Sequence, residues 1–341
     1  KTVATSTLSE IVTITSSDAT YVAPVAAYDT FGNGLTASLT KKVVTTTVLG
    51  NEKYVKLNDE TSNSVIEMGN QSDWDNSDNF WFNRASEAWT ISWWMKASEM
   101  STNNNYGHDD HIFSTGGTSA WTGHHLWIRG TTATLSFLNN GSTGAQNYYD
   151  ASDWDDGDWH HYVVTWDSSG ASATDFSNLK LYRDGSLLTP SSTWSGGTWF
   201  VDTVDSAISG EFRFGFPDYS YGSHSGQIMD LDEIAIWKKA LPATGDNSIA
   251  TIYNSGSPAD VSGIESSDLK RYYKFENGDG TDTAGNHTAT LGSSLTFPSH
   301  SSTDSMYIEN KTANTFNPAS EESTSLLLSL DGFEDVADAW V

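Results

Sequence analysis

The chain has no cysteine among its 341 residues. That excludes disulfides, zinc–thiolate centres and thiol nucleophiles, and it leaves the redox compartment open. Positive charge is scarce: 17 Lys and Arg stand against 44 Asp and Glu, a net charge of −27 at pH 7. So negative a surface repels phosphate backbones and anionic lipid, which disfavours nucleic acid and membrane surfaces as partners. No apolar run reaches the ~18 residues of a spanning helix, so membrane insertion is not expected. No cationic stretch with an apolar segment behind it opens the chain, so no signal peptide is visible. The first residue is Lys1 rather than Met, and an upstream piece is expected to have been removed.

Aromatic residues make up 12% of the chain, well above the level of a disordered acidic polymer. Ser and Thr together form about a quarter, while Lys and Leu are few, a composition suited to short strands and polar turns. All the tryptophans but Trp340 lie between Trp74 and Trp237, and they divide the chain. Residues 1–50 are rich in Thr, Val and Ala. They alternate at Ile11–Thr15 and Val43–Val48 around the turn residues Phe31-Gly32-Asn33-Gly34, which predicts three or four short strands. Residues 51–256 carry repeated period-two patterns. Trp89, Ile91 and Trp93 share one face of a strand and Thr90, Ser92 and Trp94 the other. Tyr162, Val164 and Trp166 form a second such set, and Phe212, Phe214 and Phe216 a third. Leu179 and Leu181 lead into Asp184-Gly185, a strong hairpin signal. One helix is predicted, from Ile249, Ile252 and Tyr253 at i, i+3, i+4 with a stop at Gly256. The fold class is therefore all-β, an antiparallel sandwich with a small β-rich N-terminal region.

Four segments, EAWTISWWMKAS, DDGDWHHYVVTWD, LKLYRDGSLL and MDLDEIAIWKKAL, occur in order over about 160 residues. Together they resemble the laminin-G-like branch of the concanavalin A-like lectin/glucanase superfamily. The resemblance implies a jelly roll of two curved antiparallel sheets. The stretch Ala19 to Thr40 resembles the front of a bacterial immunoglobulin-like repeat; an extended arm adding strands to a neighbour is the other reading. Within residues 257–341, Ser267–Leu291 is similar to the segment that opens a laminin-G-like domain. Either a second jelly roll starts there, or these strands complete the first. About 75 residues are too few for a second jelly roll, so completion is expected, followed by a Ser/Thr/Asn-rich tail or loop.

Catalytic patterns are missing. The glucanases of the superfamily carry E-x-D-x-x-E, with carboxylates flanking the scissile bond, and that spacing is absent. No G-x-S-x-G elbow, H-E-x-x-H or phosphate-binding glycine loop occurs. The chain reads as a non-enzyme. His124 and His125, like His160 and His161, are strand neighbours facing opposite ways and do not suit one metal ion. Calcium is the expected cofactor, if any. By resemblance Asp232 supplies one oxygen from its strand, opposite carbonyls near Gly69 or Asn58. A second candidate is Asp73, Asp75 and Asp78, whose i, i+2, i+5 spacing fits an oxygen-gathering turn. Asp153, Asp155, Asp156 and Asp158 read as a solvated turn. A glycan site needs aromatic faces and polar groups on loops, and two loops offer them. One supplies Tyr106, Asp109 and Asp110, the other Tyr219, Tyr221 and His224. Trp89, Trp93, Trp166 and Trp237 are expected to fill the space between the sheets.

The resemblance, the acidity and the Ser/Thr-rich flanks lead to two functional expectations. The first is an extracellular lectin-like protein, glycan-binding or adhesive, on a phage virion or bacterial surface. The second is a structural virion protein, a capsid decoration or fibre subunit, with the jelly roll as a spacer. Partners would be surface polysaccharide, other virion or surface subunits, or further copies of the chain.

Overall fold

The computed structural model describes residues 9–14, 19–24, 47–48, 51–82, 87–97, 110–115, 123–138, 144–167, 177–196, 210–217, 225–285, 287–308 and 311–312. The chain forms two compact units. One comprises Lys1–Gly50 with Ile308–Val341. In it β1 (Ser9–Ile14) pairs antiparallel with β2 (Ala19–Pro24), and β3 (Thr47–Val48) pairs with β20 (Lys311–Thr312). The predicted turn at residues 31–34 lies outside the described residues.

The other unit, Asn51–Tyr307, is a sandwich of two sheets. The larger sheet runs from β14 (Ser192–Gly196) through β10 (Gly144–Asp150), β9 (Thr132–Leu138), β8 (Gly123–Arg129), β7 (Asp110–Ser114), β15 (Glu211–Gly215) and β5 (Val65–Asn70) to β19 (Thr290–Leu291). The short β16 (Ser225–Gly226) joins β7 in parallel. The smaller sheet runs from β13 (Ser186–Leu187) through β12 (Leu179–Arg183), β11 (His160–Trp166) and β6 (Trp89–Ala97) to β17 (Met229–Trp237) and β18 (Leu269–Tyr273). There β4 (Val55–Leu57) also pairs with β17. Strands β18 and β19 thus place residues of the 257–341 segment in the smaller and larger sheets respectively.

Alternation sets the core. Trp89, Ile91, Trp93, Tyr162, Val164, Trp166, Leu179, Leu181, Phe212 and Phe214 all belong to one cluster between the sheets, because period-two side chains on facing strands meet there. Phe216 falls just beyond β15 and is half-buried. Asp184-Gly185 closes the β12–β13 hairpin with φ of +50° and +73°, the left-handed pair that a two-residue turn matching strand twist requires.

Two elements depart from the expectations. Trp237 is buried, but not between the sheets: it packs with Leu241, Ile249 and Ile252 on the outer face of the smaller sheet. The register of β17 against β6 shifts between Asp232 and Ala235, and Glu233 sits at φ +49°. That bulge inserts one residue and turns every later side chain to the opposite face. Asp73, Asp75 and Asp78 lie not on a turn but on α1 (Gln71–Asp78). Its N-terminus is a capping box, with Asp73 N–H donating to Asn70 Oδ1 at 3.2 Å and Asn70 N–H to Asp73 Oδ2 at 3.0 Å. The predicted helix is present as α2 (Ile249–Tyr253), capped by Ser248, with a 3-10 turn through Asn254–Gly256 behind it.

Candidate functional site

The outer face of the smaller sheet is covered over one half by α2 and its flanks, and at its other end it is left as a hollow of about 660 Å³. Trp94 and Lys96 enter from β6, because the alternation that sends Trp93 inward sends its neighbours outward. Gly157, Asp158, Trp159 and His160 come from the turn into β11, Asp184 from the β12–β13 hairpin, and Tyr253 from the end of α2. Ser301, Thr303, Asp304 and Ser305 close the rim.

Aromatic packing fixes the walls. The Trp94 and Tyr253 rings lie 6.1 Å apart and 25° from parallel, and Trp94 lies 5.0 Å from His161. Trp159 packs edge-on against Tyr54 at 5.3 Å, and its indole N–H donates to Asp304 Oδ2 at 3.0 Å. His160 is clamped between carboxylates, Nδ1 to Asp184 Oδ2 at 2.6 Å and Nε2 to Asp156 Oδ2 at 2.9 Å. The Asp184 bond raises the His160 pKa against the opposing effect of burial. Burial works against the Asp184 carboxylate, but hydrogen bonds from His160 and the His161 N–H hold it below the usual carboxylate range. Beneath them His161 is fully buried against Ser92 Oγ at 2.8 Å, and burial pushes it down to about 3. The acidic turn that reads as solvated is tied down: Arg183 binds Asp153 at 2.9 Å and Asp156 at 3.4 Å.

Of the glycan-loop residues singled out from sequence, Tyr106, Asp109, Tyr219, Tyr221 and His224 lie outside the described residues. Asp110 starts β7 and is 7% exposed. The histidine reading holds: His124 packs inward on Trp89 and Phe137, while His125 faces Trp127 and His111 on the opposite side.

The calcium candidates come apart. On a helix with about 100° per residue, Asp73 points away from Asp75 and Asp78, which lie three residues apart on one side. Asp73 closes the capping box, and Asp78 forms a buried pair with Arg271 at 2.5 Å. Asp232 is completely buried, and donors already occupy both oxygens: Asn51 Nδ2 at 2.8 Å and His300 Nε2 at 3.0 Å on one, the Glu233 N–H at 2.8 Å on the other. Asn51 Oδ1 is a buried acceptor without a hydrogen-bond donor, but one oxygen is far from the six to eight that calcium takes. Among the described residues no three His, Asp or Glu side chains gather as a metal site would. As placed among the described residues, these candidate carboxylates do not fit a calcium ion.

The hollow's side chains escape sequence reading because they arrive from five separate segments. The available signal was the outward tryptophan of β6, a large apolar side chain on the face that should meet solvent.

Residues 49–245 match the family described as the concanavalin A-like lectin/glucanases superfamily. No curated protein sequence matches the chain. Among solved structures, a candidate carbohydrate-binding protein of Bacteroides ovatus is similar at 12% identity and a TM-score of 0.46, covering 74% of this chain and 60% of that one. The CBM40 of the Ruminococcus gnavus IT-sialidase, bound to α2,3-sialyllactose, is similar at 15% identity and 0.38, over 58% of this chain and 97% of that one. Botulinum neurotoxin type C, whose cell entry depends on two ganglioside molecules, is similar at 16% and 0.37, over 60% and 42%.

Proposed function

The chain belongs to the concanavalin A-like lectin/glucanases superfamily, and on that premise we propose that it is a non-enzymatic carbohydrate-binding protein whose site is the hollow of Trp94, Trp159 and Tyr253. The observation that carries the reading is the composition of that hollow. The half-buried Tyr253 ring, a floor built on the buried Trp94 and Trp159, carboxylates and a rim of Ser301, Thr303 and Ser305 are brought together on a rigid sheet. Sugar rings need apolar contact for their C–H faces and fixed acceptors and hydroxyls for their O–H groups. Two features speak against hydrolysis. A general acid needs a raised pKa, whereas Asp184 at the hollow is held low. The strongly raised carboxylates, Asp232 and Glu233, owe their shift to burial and have side chains only 0% and 5% exposed, beyond a substrate's reach. The net charge of −27 supports an outward-facing place, on a phage virion or bacterial surface. Among the described residues no helix is long and apolar enough to cross a membrane.

The test is a glycan array on the full chain, with and without calcium, followed by calorimetric titration of the best neutral sugar. Tyr253→Ala is expected to weaken that sugar roughly tenfold by removing one wall, and EDTA is expected to leave affinity unchanged. An array silent in both buffers would overturn the reading. Binding that survives Tyr253→Ala at full strength would move the site elsewhere.

A further inference from the structure

The larger sheet presents an open patch on its outer face, at the β10–β14 end. Ala145 and Tyr149 of β10 belong to the core between the sheets, so Gln146 and Tyr148 point away from it. The antiparallel register sets Trp194 of β14 opposite Gln146, and Ser192 opposite Tyr148, on that outer face. Directly opposed side chains have Cβ atoms about 5 Å apart, so the indole and the amide are neighbours. Trp194 is 38% exposed, whereas the other described tryptophans are buried. Gln146 and Tyr148 are half-buried and Ser192 is exposed. On β9, Ser136 and Thr134 stand opposite Gln146 and Tyr148 and are buried, which confines the open patch to the end of the sheet.

The patch is held in place and uncharged. The Tyr148 hydroxyl donates to Gln146 Oε1 at 2.5 Å. That bond fixes both side chains and leaves the amide N–H groups of Gln146 to donate elsewhere. The next row along carries one charge of each sign, Asp150 and Arg129, which the registers set on either side of Thr132. An indole face suits the C–H face of a pyranose, and a held amide suits its hydroxyls. A chain with a net charge of −27 repels polyanions and further copies of itself, so charge favours a neutral occupant. We propose that Trp194, Gln146 and Tyr148 form a second carbohydrate site, which stacks a neutral pyranose chain on the indole. It lies on the outer face of the larger sheet and the hollow on the outer face of the smaller one. The two sites therefore look out from opposite sides of the sandwich, and one molecule can bridge two glycan chains. The proposal rests on the lectin reading for the class of ligand alone, since the two sites share no residue.

The experiment is calorimetric titration of cellohexaose into the full chain. Two sites per chain are expected in the wild type. Trp194→Ala should weaken one of them about tenfold and Gln146→Ala several-fold. Trp194→Phe should keep most of the affinity, because a flat ring remains. Tyr253→Ala should leave this site untouched. One site per chain, lost in Trp194→Ala alone, would support the proposal and remove the hollow. One site lost in Tyr253→Ala and unchanged in Trp194→Ala would overturn the proposal while the lectin reading stands. No binding of cellohexaose would overturn it too, and the glycan array would then decide the lectin reading by itself. An oligogalacturonide bound more tightly than cellohexaose, with the same dependence on Trp194, would overturn the neutral class. Sedimentation supplies a further check. If the wild type self-associates and Trp194→Ala abolishes this without changing sugar affinity, the patch serves a second copy, and the proposal fails.

Discussion

The sandwich has two edges, and they are finished in opposite ways. At the β5, β18 and β19 edge, α1 closes the space between the sheets, with Trp74 in the core and Leu295 and Phe297 packed against it. Arg271 on β18 is fully buried, paired with Asp78 of α1 at 2.5 Å, bonded to Ser77 Oγ at 3.1 Å, and stacked 4.0 Å from the Trp74 ring. The Glu276 carboxylate accepts the Glu52 N–H at 3.0 Å. At the β13 and β14 edge the connection through Leu188–Ser191 is short, and Trp194 and Leu187 remain in water. Buried charge at the closed edge is tolerated because each group has partners, while the open edge keeps the apolar surface that a ligand can cover. The same fold therefore separates a closed edge from an open one.

The largest expected effect breaks the closed edge. Asp78→Ala leaves the Arg271 guanidinium buried without its counter-charge and should cost about 3–5 kcal/mol by chemical denaturation. The paired change Asp78→Leu with Arg271→Met should recover most of that loss, since it removes both charges together. A single substitution costing under ~1 kcal/mol would show that water reaches Arg271 and that the two edges are more alike than they look.

A smaller effect is read in pH. His161 beneath the hollow is held down to about 3 by burial, whereas the unfolded chain protonates this residue below ~6.5. Its contribution to stability is therefore fully present above that pH and is lost as pH falls toward 3, by up to ~1.4 kcal/mol per unit. Asp232 and Glu233, raised by burial, act with the opposite sign, so the comparison must be a difference. His161→Gln should show a flatter dependence than wild type between pH 6 and 4.5. Parallel curves would mean that the folded chain accepts the proton.

The smallest effect belongs to the open edge. Trp194→Ala should change stability by no more than about 0.5 kcal/mol, as a surface substitution does. A loss near that of Asp78→Ala would make Trp194 a structural side chain and remove the contrast.

Much of the sandwich is legible in the alternation of Trp89–Trp93, Tyr162–Trp166 and Phe212–Phe214, and its hairpin in Asp184-Gly185. The helix α1 is not, because it rests on a capping box and one buried side chain, Trp74, rather than on a repeating apolar face. Acidic spacing was misleading for the same reason. Three aspartates two and three residues apart read as ligands only if the backbone turns, and here it coils. The face of Trp237 was equally hidden, since one bulge at Asp232-Glu233 reverses it and no period records that residue's left-handed φ.

The sequence by itself determined the all-β class, the inner faces of β6, β11 and β12, and the exclusion of thiol chemistry, since those follow from composition and from side chains two residues apart. Tertiary structure decided the rest. It set Asp78 against Arg271, enclosed Asp232 among hydrogen-bond donors, gathered Trp94, Trp159, Asp184, Tyr253 and Asp304 around one hollow, and left Trp194 exposed. Each of these depends on which distant strands become neighbours, and that is fixed by the packing of whole sheets rather than by local spacing.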